Sequence, residues 1–180
     1  MPISRRPPAV LACACVVGVT AVAGLASAVG ATPSVKVNVR AAAKTILPRL
    51  ESRSGVPIRI PATVYFSTRS RLYATGTASA RAYDLELGFA PDCGGADACF
   101  AADFEGRRGS RVFGRESVRL ADGIVGRFTP SSCGGSCSPP QIQWIQGGVR
   151  YSLQLYGGRR GSDEDALVGY ANSAIGDPPA

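Results

Sequence analysis

A two-residue periodicity is the feature that most constrains the fold of this chain. Between residues 83 and 89, apolar residues alternate with Asp84, Glu86 and Gly88. Successive side chains of a β-strand point to opposite faces, so this segment predicts a strand with one buried face and one wet face. Residues 100–105 repeat the alternation after a short turn. The two segments are therefore predicted to form an antiparallel hairpin.

Further segments share this strand-like pattern and are separated by turns. They are residues 72–79, 116–120, 124–128, 142–145 and 149–156. Helical spacing precedes them at residues 40–53, where Pro48 is predicted to kink or restart the helix. It returns at the end, where Ser162 is a candidate N-cap before three acidic residues. The sequence predicts an α+β fold: a curled antiparallel meander of about seven strands, with an N-terminal and a C-terminal helix on one face.

The apolar face of this predicted sheet needs a cover, because a large exposed apolar surface would aggregate. We expect the two helices to supply it and to fill the hollow, since the C-terminal helix has a continuous apolar stripe in which Ala171 and Ala174 permit close approach. The residues predicted to line this inner face are Tyr83, Leu85, Leu87, Phe89, Phe100, Phe104, Tyr151, Leu153 and Leu155.

The first 28 residues are typical of a secretory signal peptide. Arg5 and Arg6 precede an apolar stretch, and small residues allow cleavage after Ala28 or Ala31. Retention of this segment as a membrane anchor is the alternative. Residues 29–38 are predicted to be a flexible leader. A single α+β domain over residues 39–176 and a tail at 177–180 complete the predicted organisation.

Cysteine usage supports an oxidising compartment, secreted or in the cell envelope. Removal of the signal leaves Cys93, Cys99, Cys133 and Cys137, an even number in two Gly-rich turns. Three pairings are possible, and we favour the two local ones because each pair shares a turn. A four-thiolate zinc site is the alternative, but the spacings and the oxidising setting are unfavourable for it. We predict no metal and no cofactor.

Carboxylates are the candidate catalytic groups, because the chain has no histidine and so lacks Ser-His and Cys-His chemistry. Asp84, Glu86, Asp103 and Glu105 are predicted on one outward face, where paired carboxyl groups could hydrolyse a glycan. We expect instead a solvated, non-catalytic face. Asp92 and Asp97, in the first cysteine turn, are too few ligands for calcium.

Arginines form the second candidate site. Loss of Arg5 and Arg6 with the signal would lower the net charge from +7 to +5. The candidate contacts to anionic envelope polymers or lipid headgroups are Arg107, Arg108, Arg111, Arg115, Arg159 and Arg160. Nucleic acid is not an expected partner, because export and the lack of a known reading motif both count against it.

The last hairpin and helix carry a family resemblance. Residues 142–153, which read IQWIQGGVRYSL, followed by an acidic helix start and Ala171-Asn172-Ser173-Ala174-Ile175, resemble the C-terminal unit of a bacterial exported domain of unknown function. That domain is similar to lipoprotein-carrier half-barrels. The resemblance implies a half-barrel fold and a possible acyl ligand, and it brings no catalytic residues.

Together these patterns predict an exported, non-catalytic binding or structural module of the cell envelope. A carboxylate-based hydrolase acting on envelope glycans and a carrier of an apolar, acyl ligand are the two alternatives. The two alternatives would use different sites: the hydrolase would act on the outer face of the sheet, and the carrier would bind its ligand between the sheet and the helices.

Overall fold

The computed structural model describes residues 34–94, 96–156 and 161–176, which belong to one compact unit. The predicted signal peptide, both candidate cleavage sites, the tail at 177–180 and the arginines at 159 and 160 lie outside the described residues. The elements in chain order are β1 Val35–Asn38, α1 Val39–Ala42, α2 Leu47–Arg53, β2 Thr63–Phe66, β3 Tyr73–Ser79, β4 Ala82–Gly88, β5 Phe100–Arg108, β6 Glu116–Arg119, β7 Val125–Thr129, β8 Ser132–Cys133, β9 Cys137–Ser138, β10 Gln141–Gln146, β11 Val149–Leu155 and α3 Asp163–Gly176.

A seven-stranded antiparallel sheet forms the centre of the fold, as predicted. Its strand order is β3-β4-β5-β11-β10-β7-β6, and it is open rather than closed into a barrel. The chain departs from a simple meander once, after β5, when it crosses to the far edge and returns strand by strand. β11 thereby pairs with β5 over seven residues.

The start of the domain differs from the prediction. Residues 35–38, assigned to a flexible leader, form β1 and pair with β2 in a small antiparallel sheet. The alternation Val-Lys-Val-Asn carries the strand signal in only four residues. Its pairing partner lies 25 or more residues further along the chain, so the signal is weak without tertiary structure.

The N-terminal helix is divided, as the proline predicts. α1 ends at Ala42, and α2 begins at Leu47 with Pro48 in its first turn, where a missing backbone N–H costs nothing. Asn38 caps α1 by accepting a hydrogen bond from the Ala41 amide at 2.8 Å.

α3 begins as predicted, because the Ser162 hydroxyl accepts the Asp165 amide at 3.1 Å. Its carboxyl end is held by Arg59, whose guanidinium donates to the carbonyls of Ala174 and Ile175 at 3.3 and 2.8 Å. A cation there satisfies the carbonyls that a helix terminus leaves without partners.

The inner face of the sheet is packed against the helices and residues 56–66. Leu50 of α2 packs against β3, 3.3 Å from the position that a Cβ on Gly76 would occupy. The hydroxyl of Tyr170 of α3 accepts a hydrogen bond from the Tyr65 amide at 3.1 Å. Fully enclosed side chains fill the layer: Leu85, Leu87, Phe104, Trp144, Leu153, Ala171 and Ala174. This burial supports a filled hollow.

Candidate functional site

The four predicted carboxylates lie together on the outer face of the sheet. Asp84 of β4 is in register with Glu105 of β5, and Glu86 is in register with Asp103. Directly opposed residues of an antiparallel pair have Cβ atoms about 5 Å apart. Two short strands therefore bring four carboxyl groups into one small area, as the alternation indicates.

Three of these groups, all except Glu105, border a cleft of about 280 Å³, which we call the acidic cleft. Its lining residues are Asp84, Glu86, Asp97, Phe100, Asp103, Ser138, Pro139 and Gln154. Asp97 lies within the turn closed by Cys93 and Cys99, while Ser138 follows Cys137 directly. The acidic cleft thus lies between the two cysteine turns, a relationship that no local sequence pattern shows.

Both cysteine pairings agree with the favoured prediction. Cys93 is bonded to Cys99 with a Cα–Cα distance of 5.6 Å, and Cys133 to Cys137 with 4.0 Å. Cys93 is buried beside Gly88, whereas both cysteines of the second pair are exposed. The two disulfides thus fasten two turns that both adjoin the acidic cleft, and only the first includes a buried cysteine.

Phe100 lies in the acidic cleft, so its predicted place on the inner face is wrong. The register of β4 and β5 shifts between Leu87 and Gly88: Leu87 pairs with Ala102, but Gly88 pairs with Phe100. The extra residue, Ala101, forms a β-bulge, and a bulge reverses the face on which the preceding side chain lies.

An aromatic pair connects this bulge to the second cysteine turn. The ring of Phe100 meets the ring of Tyr156 edge to face, with centroids 6.5 Å apart. The Tyr156 hydroxyl in turn donates to the Cys137 carbonyl at 3.2 Å. Aromatic and amide groups, the latter from Gln154, therefore accompany the carboxyl groups in or beside the cleft.

Glu105 forms ion pairs with two arginines. The Arg107 guanidinium lies 2.8 Å from one oxygen of Glu105, and Arg150 pairs with the other. Glu105 and Arg150 are both largely shielded from water, which reduces the screening of their attraction.

Burial and mutual repulsion change the acidity of the remaining carboxyl groups. Burial, followed by repulsion from Asp84, Glu105 and Glu86, raises the pKa of Asp103 to about 8. Burial first, and then the charges of Glu105 and Glu86, also raise the pKa of Asp84, although Arg107 opposes this. Asp103 is therefore protonated at neutral pH, and Asp84 and Asp103 are only partly exposed to solvent.

The carboxyl groups of the cleft are not arranged as a metal centre. Among the residues that the structure describes, no group of three or more cysteine, aspartate or glutamate side chains is placed to hold a metal ion. Asp97, one of the two residues weighed for calcium, contributes to the acidic cleft instead.

Two of the predicted basic residues lie at the far end of β5 from Phe100. Arg107 and Arg108 end β5, where Arg108 donates to the Gly55 carbonyl at 3.2 Å. Arg111 and Arg115 lie exposed in the loop that follows. Within the described part of the chain, four of the six predicted arginines are thus close in sequence, and all four are exposed.

Comparison with known proteins gives no assignment. No protein-family model, curated protein or solved structure matches the chain. The resemblance to lipoprotein-carrier half-barrels accordingly stays a prediction. No helix within residues 34–94, 96–156 and 161–176 is both long and apolar enough to cross a membrane.

Proposed function

We propose that this protein is an exported, non-catalytic binding module whose acidic cleft binds a ligand through a positively charged organic group, an amine or a guanidinium. The observation that carries the proposal is the cleft itself: four carboxyl-bearing residues, Asp84, Glu86, Asp97 and Asp103, line one space of about 280 Å³. Concave sites with a few convergent polar groups are the usual form of ligand sites.

Electrostatic repulsion within the cleft favours a cation. Asp103 keeps its proton at neutral pH because it is largely buried and because ionisation would add another negative charge beside Asp84, Glu105 and Glu86. A bound ammonium or guanidinium group would remove this penalty and lower the pKa of Asp103. Ligand binding below pH 8 is therefore coupled to release of a proton.

The surrounding structure supports binding by a preformed site. Asp84, Glu86 and Asp103 lie on paired strands, and the lining residues Asp97 and Ser138 lie within or next to turns that are each closed by a disulfide. A site held on sheet strands loses little conformational freedom when a ligand binds. Disulfides also support the extracytoplasmic location, because they persist in oxidising compartments.

Isothermal titration calorimetry at pH 7 with cadaverine and arginine amide tests the proposal. We expect both cationic probes to bind, chitotriose to give no comparable heat, and proton release to appear as a dependence on the ionisation enthalpy of the buffer. Asp84→Asn should weaken binding at least tenfold. Asp122→Asn is the matched control, since Asp122 lies outside the acidic cleft and asparagine accepts its positive φ of 56°.

Equal affinity of the Asp84→Asn protein, or the absence of cation binding to the wild type, would overturn the assignment. Binding of chitotriose with the same loss in Asp84→Asn would assign the cleft to a neutral sugar instead. These comparisons require that the Asp84→Asn protein is folded. Its unfolding temperature, measured by circular dichroism, should equal that of the wild type.

Glycan hydrolysis is the second candidate, and Asp103 is the reason to keep it. A carboxyl group protonated at pH 7 beside ionisable ones is the arrangement that a general acid requires in a glycosidase. Incubation with peptidoglycan and chitooligosaccharides, followed by detection of new reducing ends, separates the two functions. Turnover that is lost in Asp103→Asn would replace the binding proposal, whereas we expect none.

A further inference from the structure

An exposed apolar corner occupies the outer face of the sheet, away from the acidic cleft. Phe113, Val125 and Ile145 are 65%, 60% and 45% exposed. Val125 and Ile145 occupy the next same-face positions beyond the paired residues Arg127 of β7 and Gln143 of β10. We call Phe113, Val125 and Ile145 with the neighbouring Arg111, Arg115 and Arg119 the Phe113 surface.

The loop that carries Phe113 is fastened to this corner. The Phe113 amide donates to the side-chain oxygen of Gln143 at 2.9 Å, and the Arg115 amide donates to the Phe128 carbonyl at 3.0 Å. Gly114 lies so close that an added Cβ would be 2.7 Å from the Cβ of Arg127. The backbone is thus held on the sheet while the phenyl ring faces water.

Positive charges surround these apolar side chains. Arg111 and Arg115 flank Phe113 in the chain, and Arg119 of β6 is in register with Val125. All three arginines are exposed. The nearest acidic residue in sequence, Glu116, is in register with Phe128, a buried residue of the inner face, and so points to the opposite side.

We propose that the Phe113 surface docks the protein on an anionic phospholipid bilayer. Exposed aromatic and aliphatic side chains enter the boundary between headgroups and acyl chains, and flanking cations contact anionic headgroups. The apolar side chains favour a bilayer over a wall polymer, because a polymer of sugars and phosphates offers them no hydrocarbon. This proposal is independent of the ligand of the acidic cleft.

The position of the acidic cleft is compatible with docking. Asp103 and Arg107 are four residues apart on β5, and a strand rises about 3.3 Å per residue, so they are separated by about 13 Å. Ile145 is level with Arg107, because both are in register with Arg150, and no residue of the Phe113 surface lines the acidic cleft.

Vesicle co-sedimentation tests the docking. The probes are vesicles of phosphatidylglycerol and phosphatidylcholine in equal parts, and vesicles of phosphatidylcholine alone. We expect binding to the anionic vesicles to be at least tenfold stronger and to weaken when NaCl is raised from 0.1 to 0.5 M, as ionic screening requires. Phe113→Ala should lower partitioning at least tenfold, and the double variant Arg111→Gln with Arg115→Gln should do the same.

Two control variants separate this surface from general charge effects. Arg69→Gln removes an exposed arginine elsewhere, and Asp84→Asn changes the acidic cleft; both should bind vesicles like the wild type. As a direct reporter, the emission of Phe113→Trp should shift to shorter wavelength only with anionic vesicles.

Three results would overturn the proposal. The first is binding that the arginine variants reduce but Phe113→Ala does not, which indicates an anionic polymer surface. The second is self-association that Phe113→Ala abolishes without any binding to vesicles, which indicates a second copy of the chain as the occupant. The third is equal binding to both vesicle types.

Discussion

Tyr83 and Arg59 are joined by two hydrogen bonds through one hydroxyl group. The Tyr83 hydroxyl donates to the Arg59 carbonyl at 2.8 Å and accepts from the Arg59 amide at 3.1 Å. Burial raises the pKa of Tyr83 far above its ordinary value, so the hydroxyl remains a donor. Gly106 makes this possible, because a Cβ there would overlap the Tyr83 ring. Tyr83 thus fixes the irregular segment between α2 and β2 onto the sheet.

Tyr83→Phe should therefore lower the free energy of unfolding by about 1–3 kcal/mol, because it removes both hydrogen bonds between this hydroxyl and the partly buried backbone of Arg59. Urea denaturation followed by circular dichroism measures the change. Tyr73→Phe is the matched control and should change stability by less than about 0.5 kcal/mol, since Tyr73 is partly exposed on β3. Equal effects of the two variants would contradict the role given to the Tyr83 hydroxyl.

The raised pKa of Asp103 predicts that stability falls as pH rises. In the unfolded chain this carboxyl group ionises near its ordinary value of 3.8, whereas in the folded protein it keeps its proton up to about 8. Between these values the folded state binds the extra proton, so raising the pH favours unfolding. The contribution of one such group is at most about 1.4 kcal/mol per pH unit.

Asp103→Asn isolates this contribution. We expect its free energy of unfolding to decline less than that of the wild type between pH 4 and pH 8, and Asp122→Asn to follow the wild type. Urea denaturation at four or five pH values checks the difference. Parallel curves for wild type and Asp103→Asn would show that Asp103 titrates normally in the folded protein.

The strands could be predicted from sequence because each has its own periodicity, but their order could not. Alternation marks β4, β5, β10 and β11 as strands, and short turns make neighbours of the first two and of the last two. Nothing local shows that β11 pairs with β5. That contact joins residues more than 40 positions apart, and it arises because both strands bury the same apolar face.

The acidic cleft was predicted only in part for a related reason. Alternation brings Asp84, Glu86, Asp103 and Glu105 to one face, which the register confirms. The bulge at Ala101 and the approach of Ser138 depend on tertiary packing, and they turn that face into a cleft. Local patterns report side-chain direction along one strand, whereas enclosure requires elements distant in sequence.

Loss of each disulfide should have a different effect on stability. In the chain-entropy model, loops this short give each bond about 2 kcal/mol. Cys93→Ser with Cys99→Ser should cost more than Cys133→Ser with Cys137→Ser, since Cys93 is buried and only 7% exposed. Urea denaturation of the two double variants measures the order, and non-reducing peptide mapping of the wild type checks the pairing. A peptide that joins residue 93 or 99 to residue 133 or 137 would contradict both statements.

The inner face of the sheet predicts that no acyl chain is carried between sheet and helices. Leu85, Phe104 and Leu153 are fully buried there, and Leu167 of α3 is 1% exposed, so their side chains already occupy the hollow. We expect native mass spectrometry of protein purified from its exporting host to show the mass of the polypeptide alone, and a fluorescent fatty acid to give no saturable uptake. A lipid that co-purifies and is released on unfolding would contradict this and support a carrier.

Leu153→Ala is the informative variant for the same question. It should lower the free energy of unfolding by about 2–5 kcal/mol, because it opens a cavity in a filled layer. The lining of a ligand channel would tolerate the change with a much smaller loss.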